Sequence, residues 1–307
     1  MTRRLAPLAV CICALLTVTG CGSKKERTTP LTTKTLRIAL APLNAGEAAL
    51  YAADNEKAGL NVVFAITADP GTAITKVTQG RADLAVSTEP ALLEARGKGA
   101  RVISVAALTQ RPFTSLIGPK LSVTSLLALA TKPIGTEGLD YQQAMADTIF
   151  TKANVVNTGP DLAKALSSKK VAAVIAPFGG PALPPGVTAL PVDEPLLKVP
   201  TFSEYVLVAN EDAVRENGDV IRSYIGSLAR GTHNIAAAQK QSAIAPFVKG
   251  GEAARVRALM LPPAGKPYGW QDAAKWSRFA AWMRQHRLPQ KGSAGAFTNE
   301  LLPGQGP

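Results

Sequence analysis

Cysteine, histidine and aromatic side chains are all scarce in this chain of 307 residues, with three Cys, two His and 5% aromatic residues. Three cysteines cannot build a disulfide framework, and Cys11 and Cys13 sit in a segment read below as a leader. His233 and His286 fall in stretches of helical spacing, and neither has a Cys or carboxylate at ligand spacing. No metal site, resident cofactor or histidine-based catalysis is therefore expected. The sequence also lacks a GxSxG elbow, a GxxxxGK[ST] loop and an HExxH helix. Gly97 and Gly99 form a GxG between an expected helix and an expected strand, the reverse of the order a dinucleotide fingerprint needs. Nothing assembles a nucleophile with a base, so the reading is not of an enzyme. After the first 20 residues no apolar run is long enough to span a bilayer. Acidic residues are outnumbered 22 to 34 by Lys and Arg, giving +12, but the basic residues are scattered and do not interleave with aromatics. A nucleic-acid partner is not expected on that pattern. Low aromatic content and 23 Pro exclude a coiled coil, whereas 46% apolar residues suffice for a sizeable core.

What is present begins with an export signal. Arg3 and Arg4 form a positive start, Leu5 to Val18 an apolar stretch, and Val18-Thr19-Gly20 small residues before Cys21. The pattern resembles a bacterial lipobox, which implies removal of residues 1–20 and lipidation of Cys21 with diacylglyceryl and palmitate chains. A plain secretory peptide with a chance Cys is the alternative. Loss of Arg3 and Arg4 lowers the net charge by two, to +10, on a surface that would face an anionic membrane. The low-apolar, charged stretch Gly22 to Lys34 (GSKKERTTPLTTK) makes 21–34 a tether, with a reach of at most ~45 Å.

From Thr35 the apolar period switches between two and 3.6, the pattern of an α/β protein. Strands are expected at Leu36–Ala41, Asn61–Thr67, Asp83–Ser87, Arg101–Ala107, Lys132–Gly135, Val171–Ala176 and Tyr205–Ala209. Helices are expected at Asn44–Lys57, from Asp69-Pro70-Gly71 to Gly80, at Pro90–Gly97, at Asp140–Lys152 capped by Asp140, and at Asp161–Ser168. Asp219–Gln239 and Trp270–His286 form a helical tail. Two α/β blocks and a helical tail point to two lobes, with sites at the carboxyl ends of strands.

Those strand ends carry carboxylates and amides. Asn44 and Glu47 follow the first strand, Ser87 and Glu89 follow DLAVS, Thr136 and Glu137 follow PIG, and Glu204 precedes YVLVA. An ionised carboxylate only accepts hydrogen bonds, so several facing one cleft favour a positively charged ligand or one rich in N–H donors. Solvated loop residues are the competing reading.

Several stretches resemble the type II periplasmic binding proteins of ABC importers, in the group that binds thiamine pyrimidine precursors and includes the fungal pyrimidine synthases. They are Ala49–Val62, Gly80–Ile117, Lys132–Gly135, Glu204–Asn210 and Phe297–Pro303 (FTNELLP). The resemblance implies two lobes, each a mixed sheet flanked by helices, joined by crossovers near Arg111–Ser115 and Thr201–Val208. Lobe 1 would comprise 35–111 and 206–307, and lobe 2 112–205. It implies a monomer that captures a small nitrogen-rich molecule and delivers it, unaltered, to a permease and ATPase complex. Held by the lipid on Cys21, the protein would stand at the outer face of the cytoplasmic membrane, on the periplasmic side. Asn44 and Glu204 match positions that contact the pyrimidine in this group. The usual Trp at the first strand's end is Ala41 here, and the usual His is Glu47. The cysteine-rich segment of the synthases aligns with Pro200–Tyr205, which has no Cys, so the enzyme reading is poor. Stacking would fall to Tyr141, Phe178 or Tyr205, each of which could equally be core. Riboflavin-like, sulfonate and nitrate ligands remain the alternatives within the superfamily.

Overall fold

A computed structural model describes residues 34–41, 48–159, 161–177, 186–233 and 252–304. Asn44, Glu47, Phe178 and Cys21 lie outside them, as do the leader, most of the tether and the end of the expected helix at Asp219–Gln239.

The first half runs β1 (Lys34–Leu40), α1 (Ala48–Ala52), β2 (Leu60–Ile66), α2 (Pro70–Thr78), β3 (Leu84–Ser87), α3 (Glu89–Gly97) and β4 (Val102–Ala107). It continues with β5 (Thr114–Pro119), α4 (Val123–Leu129), β6 (Pro133–Thr136), α5 (Asp140–Phe150), β7 (Asn154–Asn157), α6 (Leu162–Ser167), β8 (Ala173–Pro177) and β9 (Val187–Pro191). A return strand β10 (Val206–Asn210) precedes α7 (Glu211–Glu216), α8 (Gly218–His233), α9 (Glu252–Met260) and α10 (Ala273–Gln285).

Among the described residues, ten strands form two five-stranded mixed sheets, ordered β2-β1-β3-β10-β4 and β7-β6-β8-β5-β9. In the first, β1 pairs in parallel with β2 and β3 while β10 returns antiparallel between β3 and β4. The second repeats the scheme, with β6 parallel to β7 and β8 and β5 antiparallel to β8 and β9. Alternation explains why β1 reads as almost continuously apolar. Leu36, Ile38 and Leu40 join a core with α8 and α9, while Ala39 faces the opposite core with α2 and α3. Local signals place α2: Asp69 accepts from the Thr72 amide at 2.8 Å and Pro70 stands in the first turn.

Three expectations need correction. Among the described residues, the helix expected over Asn44–Lys57 ends at Ala52, and Asn55 O accepts the amides of Ala58 and Leu60 in the turn that follows. Asp140 is the first residue of α5 and not its cap; Leu139 holds the cap position with no side-chain bond. The sequence reading also passed over β5, α4, β7 and β9.

The chain crosses between sheets twice, from β4 to β5 and from β9 to β10. The crossings are laced together. Leu108 and Thr109 amides donate to Tyr205 O, the Tyr205 amide donates to Thr109 Oγ1, and the Val192 amide donates to Thr114 O. Beside them runs α10, whose Phe279 stacks on Phe202 with centroids 4.6 Å apart. No helix among the described residues is long and apolar enough to cross a membrane.

Candidate functional site

The site is built where β3 meets α3, where β6 meets α5, and where the second crossing enters β10. Thr88 caps α3 by accepting the Ala91 amide, and Pro90 starts the helix, which fixes Glu89 at its first turn. Glu89 is fully buried. Its Oε2 accepts the Ser203 amide at 2.8 Å, its own amide donates to Ser203 O, and its Oε1 has no partner among the described residues. Burial pushes this carboxyl up to about 7, against the pull of the Ser203 N–H and Lys275.

Glu204 repeats the arrangement from the neighbouring residue. It too is fully buried, with Oε2 accepting the Thr114 amide at 2.8 Å and Oε1 unpartnered among the described residues. Burial again lifts it to about 7, and the negative charge of Glu137 adds to the effect.

Glu137 follows β6 and is clasped by Gln142 on α5: Gln142 Nε2 donates to Glu137 Oε2 at 2.6 Å, and Gln142 Oε1 accepts the Glu137 amide. Burial raises its pKa as well. Tyr141 stands between these groups, buried, its phenol held well above its ordinary value by burial, Glu204 and Glu137, with Thr88 acting in the opposite sense. The structure therefore brings Glu137, Tyr141 and Glu204 into one buried acidic nest, and holds Glu89 beside Lys275 and the Ser203 amide.

The remaining expected residues make the following contacts. Ser87 donates to Pro70 O at 3.0 Å, and Thr136 Oγ1 accepts the Gly138 amide. Tyr205 packs into the core of the first sheet, 6.1 Å from the Phe113 ring. Ala41 follows β1 half-buried.

Sequence reasoning missed Thr88, Gln142 and Lys275. Thr88 had a signal, an N-cap residue before Glu-Pro, and Gln142 had a weak one in its position on the first turn of α5. Lys275 had none. It looks like any lysine of an amphipathic helix, yet it is buried on α10 and donates to Gln110 O at 3.0 Å, its pKa lowered chiefly by burial.

An opening of about 370 Å³ lies between the start of α2, the Ala91–Lys98 face of α3 and Leu139–Tyr141; Tyr141 lines it, whereas Glu89, Glu137 and Glu204 do not. A larger hollow of about 630 Å³ lies at the start of β1 and the end of β10. There Arg37 holds Asp83 through a bidentate pair, and none of the nest residues lines that hollow, so the smaller opening beside Tyr141 is the candidate. No group of three His, Cys, Asp or Glu among the described residues could hold a metal ion.

Known proteins carry this architecture. A formylaminopyrimidine-binding protein of Halalkalibacterium halodurans is 24% identical over 264 residues, spanning 74% of this chain and 76% of that protein. The alkanesulfonate-binding protein of Xanthomonas axonopodis pv. citri, solved with MOPS bound, superposes with a TM-score of 0.64 at 16% identity, over 86% of this chain and 98% of that one. A Candida albicans protein described as having the generic periplasmic binding protein fold superposes with a TM-score of 0.60 at 13% identity, over 86% and 96%. The two mixed sheets thus form a periplasmic binding protein fold. Residues 46–242 match the family described as NMT1/THI5 like, and the chain belongs to that family.

Proposed function

We propose that this protein is the substrate-binding component of an ABC importer, and that it carries a small nitrogen-rich molecule of the formylaminopyrimidine class. The observation that supports this best is the pair Glu89 and Glu204. Each is fully buried, with one oxygen fixed by a backbone N–H and the other unpartnered among the described residues. An aminopyrimidine answers such an oxygen with its exocyclic amine and a protonated ring nitrogen, whereas a sulfonate would meet three carboxylates. The lobes are 35–111 with 206–307, and 112–205, closing on the ligand and opening to release it. Asn44 and Glu47 would complete the polar wall, and Phe178 would supply an aromatic face. Lipidated at Cys21, the protein would work outside the cytoplasmic membrane and dock, closed, on its permease. It is a binding protein and not an enzyme.

Isothermal titration calorimetry with formylaminopyrimidine, and with an alkanesulfonate as the contrasting arm, tests the reading. Glu204→Ala is expected to weaken formylaminopyrimidine binding by about 1–3 kcal/mol, because ligand donors are left unmet. Affinity for the sulfonate alone would overturn the ligand class.

A further inference from the structure

Charge is sorted by position around the second sheet. Residues 112–205 hold seven Lys, no Arg and seven Asp or Glu, so the charges cancel in number. The topology separates them. Strands β6, β7 and β8 run parallel and β5 runs antiparallel to β8, so the starts of the first three and the finish of β5 share one end of the sheet. Five lysines stand at that end. Lys152 comes two residues before β7, Lys132 directly before β6, Lys169 and Lys170 shortly before β8, and Lys120 directly after β5. All five are exposed, and none forms an ion pair among the described residues. The acids lie elsewhere. Glu137, Asp140, Asp161, Asp193 and Glu194 follow the finishes of β6, β7 and β9 at the opposite end, and Glu204 lies in the crossing to β10. Asp147, inside α5, is the exception, and its Oδ2 accepts Gln143 Nε2 at 3.1 Å. Of the remaining lysines, Lys164 lies within α6 and Lys198 in the second crossing.

An apolar element sits at the lysine end. Helix α4 joins the finish of β5 to the start of β6, and residues 121–131, between Lys120 and Lys132, carry no charge. Leu126 and Leu129 pack partly against the core, whereas Leu127 is 83% exposed, with Thr124 and Ala128 exposed on the same helix. That leucine is apolar surface without a cover among the described residues. The lysines follow the strand order β7-β6-β8-β5, so they spread across the width of a sheet, and neither opening described above includes any of them. A small anion wants donors that converge in a concave site, which a spread row does not supply. A plane suits it better. Ammonium groups can meet anionic headgroups while their stems and a projecting leucine rest in the interface.

We propose that this end of the second sheet, with α4 at its tip, is a membrane-contact surface whose partner is an anionic lipid bilayer. Headgroups are mobile and settle under each lysine, whereas a protein partner would need acids at matching spacing around a pocket for Leu127. The surface lies away from the acidic site and does not depend on which ligand that site takes.

Amide hydrogen exchange of the full chain on vesicles tests this, with phosphatidylglycerol vesicles in one arm and phosphatidylcholine vesicles in the other. The expected result is severalfold slower exchange over residues 121–132 on phosphatidylglycerol than on phosphatidylcholine, a difference that high salt abolishes. A Lys120→Gln/Lys132→Gln/Lys169→Gln/Lys170→Gln variant is expected to lose the difference, and Leu127→Gln to shrink it. Residues 1–33 are the same in every variant, so their own contribution to vesicle attachment cancels. If the quadruple variant does not fold, Lys169→Gln/Lys170→Gln is expected to shrink the difference by itself. Equal exchange on both vesicles, slowing confined to other segments, or a quadruple variant that responds like the parent would each overturn the proposal. Slowing over α4 that appears only with added permease complex would overturn it in favour of a protein partner. Calorimetry with formylaminopyrimidine is expected to give the same affinity for parent and quadruple variant, so a failed ligand assignment and a failed membrane contact are read separately.

Discussion

Hydrogen-bond arithmetic at one hydroxyl shows how single residues tie this molecule together. Thr148 on α5 has one proton, donated to Ala144 O at 2.9 Å. Its oxygen accepts the indole N–H of Trp282 at 3.1 Å and also lies 2.9 Å from His286 Nε2. With the hydroxyl proton on Ala144 O, the histidine nitrogen is the donor, and neutral His286 is expected to carry its proton on Nε2. Nitrogen-15 NMR of the imidazole reads that tautomer, and an Nδ1–H form would contradict the assignment. Thr148→Val keeps the shape and strands two donors, one of them on the buried Trp282 ring. It is expected to lower stability by about 1–3 kcal/mol in urea denaturation, with Thr148→Ser recovering most of the loss. A neutral valine variant would show that the cluster is held by ring packing, Trp282 on His286 at 4.7 Å, and not by the hydroxyl.

Among the elements, the α1–α8 crossing turns on Gly231. A Cβ there would meet Ala49 O of α1 and Ala53 N just beyond its end at 2.8 Å, both backbone atoms that cannot swing aside. In an exposed helix, glycine to alanine stabilises by roughly 0.5–1 kcal/mol. Here Gly231→Ala is expected to reverse that sign and cost about 1–3 kcal/mol, seen as a lower urea midpoint with unchanged slope. A raised midpoint would mean that the helices part without penalty. Elements of this kind were largely legible in the sequence, because Asp69-Pro70 and Thr88-Glu89-Pro90 carry their own caps and the inner strands are apolar runs. Strands β5 and β9 were not. TSLIGP and VTALP are short, carry Pro or Gly, and are held as strands by pairing with each other and, for β5, with β8, which is long-range information. The site divides in the same way. Glu89, Glu137 and Glu204 could be read from strand ends, but Lys275 reaches Glu89 from a helix almost two hundred residues later, and no local pattern records that approach.

At the scale of the whole molecule, two sheets with the same strand scheme are joined through two crossings. Arg111 and Asp193 bridge these crossings: the guanidinium Nε and Nη2 donate to the two carboxylate oxygens at 2.9 and 3.0 Å. The carboxylate is only 2% exposed although the arginine is 55% exposed, so removing the arginine leaves a buried charge with Lys275 as its remaining cation. Because the arginine is exposed and screened, the expected loss for Arg111→Gln is modest, about 1–3 kcal/mol. Arg111→Lys should restore little, since one ammonium cannot reproduce two parallel bonds. The loss should also be local in its consequences. Amide exchange is expected to quicken at Leu108, Thr109, Val192 and Tyr205, whose N–H groups lace the crossings, while Ile38 and Leu84 in the first sheet keep their protection. Uniform acceleration across both sheets would instead make the pair a general stabiliser, and unchanged exchange at the crossings would show that it does not hold them together.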